Sequence, residues 1–553
     1  MPQVAGSDYD LIVVGSGAAG LAGAVTAATL GLSVAVVEKS GLVGGTTAMS
    51  GGGWWCPGNH HMGEVGLADS REEALEYLRA CAPDTEPRLL DAIVDTAPKL
   101  ARFLEDEAGV ARQNPWPTRG GTNDYRPWLA GSRHGGRALY PPRFEMKALG
   151  EWAPKVRLGS VWTGDRLEYY ARMLHLVRPS PETATAGASS AQQGDEVEAV
   201  ASGTALVADL LRVCLAKGVD VHLSTRGRRL LVEEGRVVGI EAERDGGLLR
   251  FTARGGVLMA SGGYAHNPEL IKRWLRRPLE QTCEVAENVG DGHLMGIAAG
   301  ADVANLGDAW WMPHTHIGFT GSGPMNPASL SREDRVLPHT LIVNRDGVRF
   351  VNEALNYYDF GDKLLETWQA RPRHLPAWLI FDRQGVERYA MLQMKVGTGP
   401  TPEWLKTAGS VEELAHMTGV DAGALVATVT RFNTYALEGV DKEFGRGESG
   451  WDKSWADPDH LPNGSLGTVE KPPFYAVEVR GSALGTKGGL RVDDNARVLR
   501  AGIEEEAIPG LYASGNCSSG GPVGAYPGPG STIGSAMTFG HLAARDVARR
   551  LAD

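Results

Sequence analysis

Three observations predict an α/β protein that carries an inserted α+β cap. The first 38 residues read as strand, glycine-rich turn, helix and strand. A stretch from about 303 to 477 has a different texture, richer in Pro, Trp and His. The glycine-rich pattern then returns and runs to a helical end at Leu551. At 553 residues the chain is also too long for one simple core. The expected division is a discontinuous sheet domain, residues 1–302 and 478–553, with a catalytic or cap domain, 303–477, inserted into it.

Asp10 to Val14 is a short apolar run, β-branched at its centre, and Leu21 to Leu30 is Ala-rich and helix-prone. Gly31 ends that helix, and Ser33 to Val37 forms a second apolar run closed by Glu38. These lengths suit two parallel strands joined by a crossover helix. Arg71 to Cys81 and Pro87 to Ala108 have amphipathic periodicity and predict helices. Gln113 to Gly150, rich in Pro, Gly and Trp, reads as an irregular packed excursion. Pro179 to Glu198 is polar and poor in large apolar residues, and reads as a mobile loop without a catalytic role. Ser202 to Ala216 predicts a helix. Val219–Leu223, Arg228–Glu233, Arg236–Glu243 and Leu248–Thr252 predict antiparallel strands, with Gly256 to Ala260 a separate buried one.

Composition excludes several classes. Net charge is −12 with both signs interspersed, so no basic footprint for nucleic acid exists. Five scattered cysteines without a CxxC argue against a disulfide framework or a zinc site, and for a reducing, cytoplasmic setting. The nearly uncharged run Leu11 to Val37 is interrupted by five glycines and preceded by Asp8 and Asp10, so it is neither a membrane span nor a signal peptide. No transmembrane segment is expected, although peripheral membrane contact stays open.

The turn after the first strand, Gly15-Ser16-Gly17-Ala18-Ala19-Gly20, matches G-x-G-x-x-G. Here the pattern follows a strand, opens a helix and is followed by an acidic residue, Glu38, at the end of the next strand. Gly15 permits the tight turn, Gly17 lets the backbone approach a pyrophosphate, and Gly20 lets helix pack on strand. Free N–H groups at Ala18 and Ala19 then face the phosphates, and Glu38 accepts from ribose hydroxyls. Just beyond lies a second segment rich in glycine and hydroxyls. Its Gly45, Thr46, Thr47, Ser50, Gly51 and Gly52 can reach the pyrophosphate and a flavin ring. A plain NAD domain usually lacks it. The expectation is therefore a Rossmann-like FAD-binding domain, with FAD held non-covalently because Gly44 to Thr47 offers no histidine.

These N-terminal segments, with Tyr526-Pro527-Gly528-Pro529-Gly530, resemble the 3-ketosteroid dehydrogenases of the fumarate reductase/succinate dehydrogenase flavoprotein superfamily. The resemblance extends through Ala260 to Tyr264, Gly290 to His293, Asn344 to Glu353 and Gly485 to Leu490. It implies α,β-dehydrogenation of a ring ketone, with a hydride passing from the β-carbon to flavin N5 and the α-proton to a tyrosine base. A developing enolate needs donors aimed at its oxygen. By resemblance these are the Tyr526 hydroxyl and the Gly530 N–H. The base follows N-E-x-x-x-Tyr, which Asn352 to Tyr357 fits, so Tyr357 is the choice and its neighbour Tyr358 the alternative. A third site tyrosine lies in D-Y-x-P, which makes Tyr125 an assistant to Tyr357; Arg126 beside it stands where relatives often carry an aromatic. The resemblance also implies cofactor contacts at Lys39, Leu231 and Val232 (adenine), Ala260, Ser261 and Gly262, Asp291, and Gly515 and Asn516. Thr532 and Ile533 open the last helix, whose positive end favours charge on the reduced flavin.

A dicarboxylate substrate is not expected, because Val523 to Gly528 stands where the resemblance to fumarate reductases implies an Arg-bearing motif. His314 and His316 lack a third ligand, so no metal is expected. Three substrates compete: a 3-ketosteroid oxidised at the 1,2-bond first, a smaller cyclic ketone of cyclohexanone type second, and a steroid oxidised at the 4,5-position third. Trp54, Trp55, Trp116, Trp128, Trp310 and Trp311 either narrow the pocket or pack the core. A quinone or another carrier would take the electrons. From another class, a flavin electron-transfer subunit would have no use for phenols facing its flavin.

Overall fold

The computed structural model describes residues 7–115, 124–159, 197–275, 277–315, 334–367, 372–389, 391 and 401–553. Trp116, His316 and residues 179–196 of the expected 179–198 loop lie outside the described residues. Strand β1 (Ser7–Val14) leads through the glycine turn into helix α1 (Ala18–Thr29), then β2 (Val34–Val37). Two helices follow, α2 (Arg71–Cys81) and α3 (Pro87–Arg102), the second continued to Ala108 as a π-helical turn. Ser70 caps α2 by accepting from the Glu73 N–H, and Pro87 starts α3 where no amide partner is needed. Helix α4 (Ser202–Ala216) precedes β3 (Asp220–His222), β4 (Arg226–Glu233), β5 (Arg236–Arg244) and β6 (Gly247–Met259).

The chain then leaves for a second sheet. Its main members are β7 (Val303–Thr315), β8 (Thr340–Val343), β9 (Ala377–Asp382) and β10 (Phe474–Leu490), with α5 (Tyr357–Leu365) between β8 and β9. β11 (Arg497–Leu499), β12 (Ala507–Ala513) and α6 (Ser531–Ala552) return to the first sheet. There the order is β11-β12-β6-β1-β2-β3, with β5 on β6 and β4 on β5. β1 runs parallel to both β2 and β6, and β6 parallel to β12.

Two expectations change. Asp220–His222 pairs with β2 in parallel, not with the antiparallel strands that follow it. Leu248–Thr252 and Gly256–Ala260 are not two strands. β6 is continuous to Met259: it is antiparallel to β5 over 247–252 and parallel to β1 over 251–259, with a register shift in the β1 pairing opposite Ala253 and Gly256. Gly256 allows this, since its φ of +133° is open to glycine and its Cα faces the Gly510 backbone closely. The second sheet also reaches outside 303–477: Gln281–Thr282 pairs with β10, and β10 itself runs on to Leu490.

The main core fills both faces of the first sheet, and two smaller cores line the faces of the second. A fourth cluster is mostly aromatic and joins Tyr125, Trp310, Trp311, Tyr357, Trp451 and Tyr526. Trp54, Trp55, Trp310 and Trp311 are buried, whereas Trp128 is 56% exposed. The five cysteines are all free thiols. No described helix is long and apolar enough to cross a membrane.

Candidate active site

One cavity begins at the carboxyl ends of β1 and β2, where ligands collect in open α/β sheets. It is lined by Gly15, Gly17, Ala18 and Ala19 from the turn, by Glu38 and Lys39 beyond β2, and by Gly45, Thr46, Thr47, Ser50, Gly51 and Gly52. Ala260, Ser261, Gly262, Asp291, Gly515, Asn516, Thr532 and Ile533 form further walls, and Tyr125, Tyr357, Tyr526 and Gly530 line the same cavity. Gly20 lies outside the lining; a Cβ there would be driven into the Gly15 carbonyl oxygen, so its role is to let α1 sit on the turn.

Glu38 is fixed before any ligand arrives. Its Oε2 accepts from the Ser16 amide (3.0 Å) and hydroxyl (2.7 Å), and its Oε1 from the Ser40 amide (2.8 Å). Each carboxylate oxygen keeps acceptor capacity for a ribose hydroxyl. Gly15 holds φ at +108°, and a Cβ there would collide with the Ala260 carbonyl. The Ala18 N–H donates to Thr47 Oγ1 (2.9 Å), which ties the second glycine segment to the helix N-terminus. Lys39 and Arg226 both pair with Asp291, at 2.8 and 2.7 Å. Burial opposes ionisation of Asp291, but these hydrogen bonds and charges hold its carboxyl below the usual range.

Leu231 and Val232 do not line the cavity. Leu231 is buried, and Val232 is 47% exposed. The wall on this strand is earlier, at Thr225 and Gly227. A strand-interior glycine signals close approach of another group, and that signal was present in the sequence at Gly227. Arg157, which no sequence motif marks, also lines the cavity and pairs with Glu287 at 2.9 Å. Gly227→Val is expected to weaken FAD binding at least tenfold, and Val232→Thr to leave it unchanged, as measured by flavin fluorescence on titration of the apoprotein.

At the far wall three phenols meet. The Tyr125 hydroxyl donates to the Tyr357 hydroxyl at 3.0 Å. Tyr125 and Tyr526 stack with ring centres 5.3 Å apart, and Tyr357 meets Tyr526 edge-on at 5.3 Å. Burial pushes the Tyr357 phenol well above 10, and the neighbouring Tyr125 and Tyr526 push it the same way. Tyr358 does not line the cavity; its hydroxyl lies 3.4 Å from Asp308. Thr532 Oγ1 donates to the Tyr526 hydroxyl (3.1 Å) at the cavity wall. Gly530 caps α6 with φ +78°, and its carbonyl accepts from the Trp55 amide at 3.1 Å. Buried Lys487 donates to the Ala525 carbonyl (3.0 Å) next to Tyr526 and pairs with Asp308 at 3.3 Å. Arg126 turns away to a two-point pair with Asp359, at 2.7 and 3.1 Å.

A parallel sheet with its glycine turn, a fixed acidic residue and a second glycine segment, all on one long cavity, defines a flavoprotein. A family model described as FAD binding domain matches residues 10–533. The 4-oxocyclohexanecarboxylate 2-dehydrogenase of Sinomonas cyclohexanicum is 38% identical over 99% of this chain and 94% of its own length. The 3-oxosteroid 1-dehydrogenase of Mycolicibacterium smegmatis is 36% identical over 99% of this chain and 98% of its own. Among solved structures, 3-ketosteroid delta1-dehydrogenase from Sterolibacterium denitrificans, in complex with 1,4-androstadiene-3,17-dione, aligns with a TM-score of 0.85 and 32% identity, covering 98% of this chain and 100% of that one. The chain belongs to the FAD-binding flavoprotein family, in the branch of 3-oxosteroid and cyclic-ketone dehydrogenases. It is an FAD-dependent oxidoreductase of the CH–CH dehydrogenase class.

Proposed function

We propose that this protein introduces a double bond beside the carbonyl of a ring ketone, first among them a 3-ketosteroid at its 1,2-bond. The observation that carries the reading is the phenol group Tyr125–Tyr357–Tyr526 on the same cavity as Glu38 and the glycine turn. FAD, when bound, supplies the two-electron acceptor that such a reaction requires. Gly15, Gly17, Glu38, Thr46 and Thr47 would hold it without a covalent bond, and the N-terminus of α6 favours negative charge on the bound group.

Tyr526 and the Gly530 N–H hold the ketone oxygen, where charge grows as the α-proton leaves. Tyr357 receives that proton. It does so as the phenolate, a form its buried setting opposes, and the Tyr125 hydroxyl, which donates to the Tyr357 oxygen at 3.0 Å, stabilises that phenolate until the proton arrives. An external acceptor, a quinone or another carrier, completes turnover. The free cysteines support a reducing, cytoplasmic setting.

A smaller cyclic ketone is the second reading. It is favoured by the 38% identity to the 4-oxocyclohexanecarboxylate enzyme and by buried Trp310 and Trp451 against the phenols, with ring centres 5.2 and 4.5 Å away. Anaerobic mixing of the yellow holoprotein with androst-4-ene-3,17-dione, and separately with cyclohexanone or 4-oxocyclohexanecarboxylate, tests both. Bleaching by the steroid alone supports the first reading and bleaching by the small ketones alone the second. No bleaching by any of them overturns ring-ketone dehydrogenation.

A further inference from the structure

Away from the cofactor cavity, the loop after Trp54–Trp55 meets the π-helical turn that continues α3. His60 Nε2 lies 3.1 Å from Glu105 Oε2, and His61 Nε2 lies 2.9 Å from the same oxygen. One donor atom from each of the three residues lies within 4.8 Å of the others. The expectation of no metal rests on His314 and His316 and does not weigh this pair.

The surroundings fix the three side chains. Asn59 anchors the loop by donating to the carbonyls of Cys56 (2.8 Å) and Gly136 (2.7 Å), and accepts from the His61 amide at 3.1 Å. The Gln113 amide donates to Glu105 Oε1 (2.9 Å), an oxygen that His61 Nε2 also faces at 3.0 Å, while Oε2 faces both imidazoles. His61 Nδ1 lies 2.8 Å from Glu64 Oε1, and Glu64 in turn pairs with Arg112, whose guanidinium is 3.5 Å from the same nitrogen.

A neutral imidazole carries one N–H and one lone pair. When His61 gives its Nδ1–H to Glu64, its Nε2 turns a lone pair toward an anionic oxygen 2.9 Å away. That contact requires a positive centre between the two atoms. A proton satisfies His61 alone. A metal ion also uses the second imidazole aimed at the same oxygen. Bonds of about 2.0–2.2 Å in a tetrahedral site place neighbouring donors about 3.3 Å apart, so the two contacts to Glu105 need only a slight opening. An outer carboxylate on the other nitrogen of a ligating histidine, here Glu64, is the usual support of such a ligand. Two carboxylates (Glu64, Glu105) against one guanidinium (Arg112) leave one net negative charge for a cation.

We propose that His60, His61 and Glu105 bind a divalent transition metal of the Zn2+ type, with water in the fourth position. The ion would tie the loop to the end of α3. It would also brace the strand whose Trp55 amide donates to the Gly530 carbonyl.

The test uses tag-free holoprotein freed of metal by a chelator and titrated with ZnCl2 in a calorimeter. The expected result is one Zn2+ per chain, a raised thermal midpoint, and at least tenfold weaker binding in His61→Ala and in Glu105→Gln, with exposed His134→Ala unchanged. An unaltered flavin absorption spectrum reports that each variant is folded. If His61→Ala loses its flavin, His60→Asn replaces it, with Co2+ as a probe whose d–d bands report tetrahedral nitrogen and oxygen ligands. Absence of stoichiometric Zn2+, or equal affinity in the folded variants, overturns the metal site and leaves a proton-bridged imidazole–carboxylate group.

Discussion

Replacing Tyr357 by Phe is expected to lower kcat on the ring ketone by about 10²- to 10⁴-fold, the range for loss of a general base, while FAD stays bound. Steady-state turnover and the flavin spectrum check the two halves of this result. Tyr526→Phe removes one of two donors to the ketone oxygen, and a fall of about 10²- to 10³-fold is expected. The pH profile distinguishes the two roles. Tyr357 titrates well above 10, since burial and two neighbouring phenols oppose its charge. Raising the pH increases its deprotonated fraction, and a group with so high a pKa gives no plateau near neutrality. kcat/KM should therefore climb steadily from about pH 7 toward 10, and the climb should flatten in Tyr357→Phe. If both Tyr357→Phe and Tyr526→Phe leave turnover of every ring ketone unchanged, the phenols have no part in the chemistry and the chain acts as a flavin carrier.

The second large effect is expected at Glu353, which never touches the cavity. Its carboxylate accepts from Arg349 at 2.8 and 2.7 Å and from the Ile342 amide at 3.1 Å, and lies 3.4 Å from the Arg446 guanidinium. Burial opposes its charge, but Arg349 and Arg446 hold it below the usual carboxylate range. Both arginines are buried, and Arg349 also pairs with Asp441 at 2.7 Å. Glu353→Gln removes the charge that compensates them. Breaking a buried pair from one side costs about 3–5 kcal/mol. The expected readout is an earlier transition in urea by tryptophan fluorescence, assigned to the second sheet, with FAD retained on the first. Glu353 stands four residues before Tyr357, so the folded fraction should also lose kcat. An unchanged urea midpoint would mean that the arginines find other counter-charges.

Much of this was legible in the sequence where the signal is local. The turn at Gly15 to Gly20, α1, β2 and Glu38 follow one another within a single supersecondary unit, and each is dictated by its neighbours. α2 and α4 kept the boundaries that capping and periodicity assign them. β6 was not legible, because its pairing, antiparallel to β5 and parallel to β1 and β12, depends on strands elsewhere in the chain. Nor was the parallel partner of Asp220–His222, which lies near residue 36. That Leu231 and Val232 lie off the cavity was hidden for a similar reason. The run Leu230 to Val232 reads as a strand touching a ligand, but which end of the strand meets the cavity depends on where β4 sits in the sheet. The phenols were named by motif, yet no periodicity relates Tyr125 to Tyr357, 232 residues later.

β12 and α6 carry a consequence for how the protein is made. β6 needs β12 as its parallel neighbour, and α1 packs on α6, where Gly23 and Gly540 let the two backbones approach. The nucleotide turn is synthesised early, and the strand, the helix and the Gly530 corner that close its cavity are synthesised much later. A nascent chain that lacks them therefore displays the G-x-G-x-x-G turn without a finished cavity, and FAD capture waits for their synthesis. Such a chain exposes the edge of β6 throughout synthesis, the period in which unpaired strands are most open to aggregation.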